Sequence, residues 1–169
     1  FIYFIAGLSY DQVVLKGILD PILVNDIIVN KLPKLSPEMK FNQFMKKYGN
    51  NEADKFLVQE GKFQGLLDLD SLQPLPKNMQ AVVKLKQLAI SLENLDSVEK
   101  KDSVYKAFQK LAKSGIGMIP IVHKKKIIGV ITQHALNTRL QWELKFKDHS
   151  DLKRMTRTFS KRRQIIKRS

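Results

Sequence analysis

Gly129, Thr132 and the lysines at 124–126 are the residues whose types and spacing offer chemistry. Thr132 ends the apolar run Ile127–Ile131 and precedes a helical pattern, so its hydroxyl could cap that helix or hold a phosphate at the helix N-terminus. Gly129, inside the run, lets another backbone or a ligand come close. Lys124-Lys125-Lys126 lies between two buried runs and reads as a solvated hairpin tip more readily than as a phosphate site. His123, His134 and His149 have neither a partner at metal-ligand spacing nor a triad partner, and the chain has no Cys. Disulfides and thiolate metal sites are thereby excluded, and a zinc site is not expected. This inventory points to binding, not catalysis.

The elements around these residues follow from hydrophobic periodicity. Met118–Val122 reads as a strand, His123–Lys126 as a turn, Ile127–Ile131 as a second strand, and a helix starts at Thr132. Ahead of them, Val104, Ala107, Phe108 and Leu111 fall at i, i+3, i+4 and i+7 of an amphipathic helix. A weaker copy of the pattern lies upstream. Phe41, Phe44, Met45 and Tyr48 form the same stripe on a helix read as starting at Ser36-Pro37, and a core role suits these aromatics better than base stacking. Strands at Lys55–Gln59 and Phe63–Leu67 flank a turn at Glu60-Gly61, and a short helix follows Asp68. Phe41 aligns with Val104 at an offset of 63 and Gly65 with Gly129 at 64. The chain therefore holds an internal repeat of roughly sixty-four residues, with the extra residue placed in the turn of the second copy.

Length and charge bound the rest. The 169 residues, 43% of them hydrophobic, suit one compact domain or two small related ones. The net charge of +14 is uneven: Lys145–Ser169 holds ten Lys and Arg against two Asp, a net +8, and the body is only mildly basic. Ser9–Leu19 reads as a helix interrupted by Asp20-Pro21. Phe1–Leu8 is uncharged and apolar but far short of the ~20 residues that span a bilayer. It fits either the last turns of a transmembrane helix or a short strand or helix packed on the domain.

The repeated pattern, with SGIGMIPIV, the turn and IIGVIT in the second copy, resembles a CBS domain, and the two copies together resemble a CBS pair over about residues 22–142. The first copy departs from the family where Ala53–Val58 lacks the usual Pro of its strand. The resemblance implies an α/β fold of two pseudo-twofold-related repeats, each strand-helix-strand-strand-helix. Divided accordingly, residues 1–20 form a transmembrane end or juxtamembrane helix, 21–78 repeat 1 with its connector, 79–144 repeat 2, and 145–169 a basic C-terminal helix. The flanks SYDQVVLKGILDPILVNDI and LQPLPKNMQAVVKLKQLAISLENLDSV are similar to those of prokaryotic site-2-protease-type membrane zinc metallopeptidases. That likeness implies a non-catalytic regulatory attachment at the cytosolic face of a membrane protein, with the peptidase and its zinc upstream. No His-Glu-x-x-His motif is present in this chain. A nucleotide-sensing module of a transporter or a stand-alone CBS protein, and a nucleic-acid-binding protein using the tail, are the alternatives.

CBS pairs of the family take AMP, ADP, ATP or S-adenosylmethionine through a motif of Gly, a hydrophobic residue, any residue, Thr or Ser, two more residues, then Asp. The second copy reads Gly129-Val130-Ile131-Thr132-Gln133-His134-Ala135, so Ala135 stands in place of the ribose-binding Asp. The first reads Gly65-Leu66-Leu67-Asp68-Leu69-Asp70-Ser71, with Asp68 at the phosphate position, where it would repel an anion, and Ser71 at the Asp position. Weak ligand binding is expected, at a site lined by Leu95, Ser97, Ile119, Pro120, Gly129 and Thr132. The resemblance also implies a homodimer through the repeats, with helices at 68–73 and 132–144 supplying the apolar faces. The tail, read as a basic amphipathic helix from about Trp142, suits an anionic membrane surface, and nucleic acid is the disfavoured rival.

Overall fold

A computed structural model describes residues 2–5 and 8–147. In chain order the elements are β1 (Ile2–Ile5), β2 (Leu8–Asp11), α1 (Gln12–Leu19), β3 (Lys34–Leu35), α2 (Phe41–Tyr48), β4 (Lys55–Glu60), β5 (Phe63–Asp68), α3 (Lys77–Gln80), α4 (Leu85–Leu88), β6 (Ile90–Ser91), α5 (Val104–Lys113), β7 (Met118–His123), β8 (Lys126–Thr132) and α6 (Gln133–Phe146). This is the mixed α/β class expected from the sequence. No helix among the described residues is long and apolar enough to cross a membrane.

Two sheets repeat one plan. The first has the order β3-β4-β5-β6. In the second, β7 pairs with β8, and single bridges add Val98 beside Ile121 and Val29 beside Val130. The correspondence is residue by residue: Leu35 lies parallel to Val58 as Val98 does to Ile121, and Leu66 faces Ile90 as Val130 faces Val29. The outer strand of each sheet therefore comes from the segment that precedes the other unit. Val29, ahead of the first unit, completes the second sheet, and β6, ahead of the second unit, completes the first.

The cores follow this exchange. Val14, Leu15, Ile18, Leu19, Ile22 and Val24 are buried with Val104, Phe108, Ile121 and Leu136, so α1 is part of the second unit's core and not an appendage. Leu85 is buried with Leu35, Phe44, Phe56 and Leu67. A third cluster, with Leu66, Ile116, Met118, Ile127 and Val130, joins the two sheets. Each unit alone would have a thin core, and the shared cluster supplies apolar burial that neither could make by itself.

Both strand glycines sit where the exchanged segments arrive. A Cβ on Gly129 would lie 2.7 Å from the Ile28 side chain and 2.9 Å from the Val29 carbonyl oxygen, and one on Gly65 would lie 2.7 Å from the Ile90 carbonyl oxygen. Of the two occupants that Gly129 allowed, the neighbour is another segment of the chain, through the Ile28 side chain and the Val29 backbone.

Several expected boundaries move for identifiable reasons. Residues 2–5 and 8–11 form an antiparallel hairpin, the strand alternative for the apolar run at the start and a departure from helix at Ser9–Asp11, in keeping with the β-branched and aromatic run Ile2–Ile5. α1 begins only after Asp11, whose carboxylate accepts from the Val13 N–H at 2.9 Å. α2 starts at Phe41 because the Phe41 N–H is given to the Val83 carbonyl and Lys40 bridges Lys84, which holds Lys40 extended; Ser36–Met39 makes only one turn. Met45, on the expected stripe, is exposed. After Asp68 the first unit has a single 3₁₀ turn, Leu69–Ser71, where the second has the 14-residue α6. The helix expected at 68–73 as a dimer face is thus one turn long. The tail expected as a helix to Ser169 lies outside the described residues beyond Lys147.

The extra residue of the second copy is not in its turn. Both hairpins close over two residues, Gly61-Lys62 and Lys124-Lys125. Val122 pairs with Ile127 and Ile121 with Gly129, so the insertion is a β-bulge at Ile128. Gly61 takes a positive φ of 59°, whereas in the second hairpin Lys124 (48°) and Lys125 (63°) both do, at about 1–2 kcal/mol each for L-residues.

Two predictions follow from this frame. Gly65→Ala and Gly129→Ala should each cost about 1–3 kcal/mol in urea denaturation, because the obstructing atoms include backbone, whereas Gly115→Ala, with nothing within 4 Å, should be near neutral. Glu38 receives ammonium hydrogen bonds from Lys84 and Lys86 of the connector, which hold its carboxyl at about 2. A depressed folded pKa gives stability present above the unfolded value and lost as pH falls through the folded one. Carbon-13 NMR titration should place Glu38 near that value, and Lys84→Ala with Lys86→Ala should return it towards 4.5.

Candidate functional site

A cavity of about 500 Å³ lies between the units. Its apolar wall is Ile90 from the first sheet with Leu95, Ile116, Met118 and Ile119 from the second unit, and its polar mouth carries Ser71, Asn94, Asp96, Lys110, Lys113 and Ser114. Both units contribute because the 3₁₀ turn after β5 delivers Ser71 to the front of β7. The Lys110 ammonium donates to Asp96 Oδ1 and to the Ser97 carbonyl, each at 2.8 Å. The hydrogen bond from Lys110 holds the Asp96 carboxyl below its ordinary value against a smaller opposing effect of burial, and Lys113 adds to the lowering. Ser71 Oγ donates to the Asp68 carbonyl at 2.9 Å. An apolar slot with two lysines at its mouth suits a flat apolar body bearing an anionic group. Asp96 Oδ1 is engaged by the Lys110 ammonium and the Ser97 N–H.

Only two of the six expected site residues line this cavity, namely Leu95 and Ile119. Ser97 contributes its carbonyl to Lys110 from just outside. Pro120 is buried, and its carbonyl accepts from the Val98 N–H in the sheet. Gly129 is covered by Ile28 and Val29. Thr132 Oγ1 accepts from the Ala135 N–H at 3.0 Å and caps α6, the first of its two expected roles. The expected grouping fails because it joined the front of the second unit to that unit's own motif, whereas the cavity joins it to the motif of the first. Lys110 and Lys113 went unnoticed in the sequence, although their spacing just past the buried stripe of α5 puts them at the same end of that helix.

Asp68 behaves differently from expectation. It is buried, and its carboxylate lies 3.4 Å from the Lys55 ammonium, which also approaches Asp54 at 3.0 Å and Asp70 at 3.9 Å. Asp68 Oδ1 further accepts from the Asp70 N–H. The three carboxylates are close enough together to hold a metal ion, but the ammonium already sits among them and supplies the positive charge. The negative charge that was expected to repel an anion is compensated within the fold. For Lys55, burial works against the charged form, yet hydrogen bonds and charge from Asp54 and Asp68 raise its pKa overall. Lys55→Met would leave Asp68 buried without its cation and should cost about 3 kcal/mol in urea melts at neutral pH. Two of the three histidines, His123 and His134, are exposed, and His149 lies outside the described residues.

The structure is an α/β pair of repeats with a cavity of ligand size between them. Residues 88–141 match the CBS domain family, and this part of the chain is a CBS domain. No curated protein sequence matches the chain. Its fold is similar to that of the CBS domain of the bacterial CNNM/CorC family Mg2+ transporter in complex with ATP, at a TM-score of 0.62, 12% identity, and coverage of 77% of this chain and 94% of that one. A conserved protein of Pyrococcus horikoshii gives 0.61, 13%, 72% and 94%. A hexameric CBS-CP12 protein from bloom-forming cyanobacteria gives 0.58, 11%, 85% and 86%. At these identities the likeness establishes the fold.

Proposed function

We propose that the chain is a non-catalytic regulatory CBS pair that binds an adenine nucleotide weakly in the cavity between its units. The observation that carries this reading is the cavity itself, with an apolar wall beneath a mouth bearing Lys110 and Lys113. Binding of ATP by the similar bacterial transporter domain supports the ligand class. Weakness follows from Ser71 and Ala135, which replace the ribose-binding carboxylate in both copies of the motif. In this reading the module sits at the cytosolic face of a membrane protein and controls it through the arrangement of the two units. Resemblance of the flanking segments supports a zinc metallopeptidase as the parent, and the fold likeness to the CNNM/CorC domain supports a transporter. Self-association draws support from Trp142 and Phe146, which are 62% and 72% exposed on α6, and from the hexameric relative in fold.

Thermal-shift titration tests the ligand. A Kd near ~1 mM gives about 0.4 kcal/mol at 1 mM ATP and about 1.4 kcal/mol at 10 mM, or Tm shifts of roughly 1 °C and 3–6 °C for a chain of this size. Lys113→Glu should abolish the shift while leaving the unliganded Tm in place, since Lys113 is exposed. No shift with ATP, ADP, AMP or S-adenosylmethionine at 10 mM would remove the ligand from this reading. A shift above about 6 °C at 1 mM would overturn weak binding.

A further inference from the structure

The tips of the two long hairpins meet. Gln64, two residues beyond Lys62 in β5, donates through Nε2 to the Lys125 carbonyl and accepts at Oε1 from the Ile127 N–H, each at 2.8 Å. Gln59, opposite it in β4, donates to the same Oε1 at 2.8 Å. One amide thus locks the tip of the first hairpin against the tip of the second. The side chains brought together are Lys62, Lys124, Lys125 and Lys126, all exposed, with His123 beside them. Glu60 is the acidic residue at these tips, and its carboxylate is engaged by the Ser36 hydroxyl. Among the described residues, none of the four lysines makes an ion pair.

The backbone adds a second observation. A two-residue turn with positive φ at both positions favours Asn-Gly, and the first hairpin uses Gly61 at its own positive-φ position. Lys124 and Lys125 hold that conformation as L-residues with large cationic side chains, a local cost that the turn geometry does not require of them. Strain kept at two adjacent exposed lysines, on a tip already joined to a third and a fourth, marks these positions by what they present to solvent.

We propose that the joined hairpin tips are a docking surface for anionic lipid headgroups, so that Lys62, Lys124, Lys125 and Lys126 hold this end of the module against a negatively charged membrane. The exposed tips carry point-charge ammonium groups without an arginine fork, which suits attraction to a charged plane. Stacking of nucleic-acid bases would call for aromatic rings at the tips, and Gly61, Lys62, His123, Lys124, Lys125 and Lys126 include no Phe, Tyr or Trp. The surface is separate from the nucleotide cavity, since none of the four lysines lines it.

The test is sedimentation of the full chain with vesicles of phosphatidylcholine containing 30% phosphatidylserine, at about 0.1 M salt, beside pure phosphatidylcholine vesicles and a 30-base-pair DNA duplex. Lys124→Asn with Lys125→Gly relieves the positive-φ strain while removing two charges, and its Tm should be no lower than the parent's. Lys100→Gln with Lys101→Gln removes two exposed charges elsewhere and serves as the control for net charge. We expect anionic-vesicle affinity to fall about 5- to 30-fold in the hairpin variant, to change little in the control, and to be absent with neutral vesicles. Equal affinity for parent and hairpin variant, equal losses in both variants, or no vesicle binding by the parent would each overturn the proposal. A loss confined to DNA would replace the lipid with nucleic acid as the partner.

Discussion

The close approach of backbone to backbone at Gly129 and Gly65 is the contact on which the molecule depends. At each glycine an outer segment from ahead of the other unit hydrogen-bonds to the sheet at a distance that leaves no room for a Cβ. Without those approaches Val29 and Ile90 could not complete the two sheets, and α1 and α4 would have no core to enter. The exchange makes the pair one cooperative body, because each unit's hydrophobic cluster is closed by residues from the segment that precedes the other unit.

On this symmetric frame the chemistry is asymmetric. Thr132 and Asp68 hold corresponding places at the ends of β8 and β5, yet one caps a 14-residue helix and the other is buried beside an ammonium above a single 3₁₀ turn. The two junctions therefore differ in charge and in what they can hold. A cluster that neutralises itself, as Lys55 does among Asp54, Asp68 and Asp70, has little electrostatic reason to draw in an external ion. The cavity at Ser71 differs because its second lysine, Lys113, is exposed at the mouth and makes no ion pair among the described residues, while Lys110 engages Asp96.

Much of this was legible in the sequence, and the reasons differ by element. α5 announced itself through Val104, Ala107, Phe108 and Leu111 because all four are buried on one face, and the hairpins through their apolar runs and short charged turns. The start of α2 was not legible. Ser36-Pro37 is a sound local start signal, and it was overruled by a bridge from Lys84, more than forty residues away. The bulge at Ile128 was equally hidden, since a one-residue slip between repeats looks the same whether it lies in a turn or a strand. The expected site residues do not converge on one cavity, for a related reason. A motif names the residues of one repeat, but the cavity wall comes from both, and which pieces of the two units face each other is a property of the exchange and not of either motif.

That same geometry bears on how such a module could signal. Ser71 and Ile90 belong to the first unit's turn and sheet, while Gly115–Ile119 and Lys110 belong to the second. A ligand bridging them would favour whichever arrangement of the units closes the cavity around it, by no more than its difference in affinity between arrangements. The shared cluster of Leu66, Ile116, Met118, Ile127 and Val130 sets the opposing term, because any rearrangement must repack close-fitted side chains. Weak binding is compatible with such control only when the competing arrangements are close in energy, since a ligand near its Kd shifts an equilibrium by less than 1 kcal/mol. The regulatory reading thus asks for a soft boundary between the units, and the parts that border the cavity fit it. The first unit closes there on one helical turn and a proline-rich connector, without the long helix that stiffens the second.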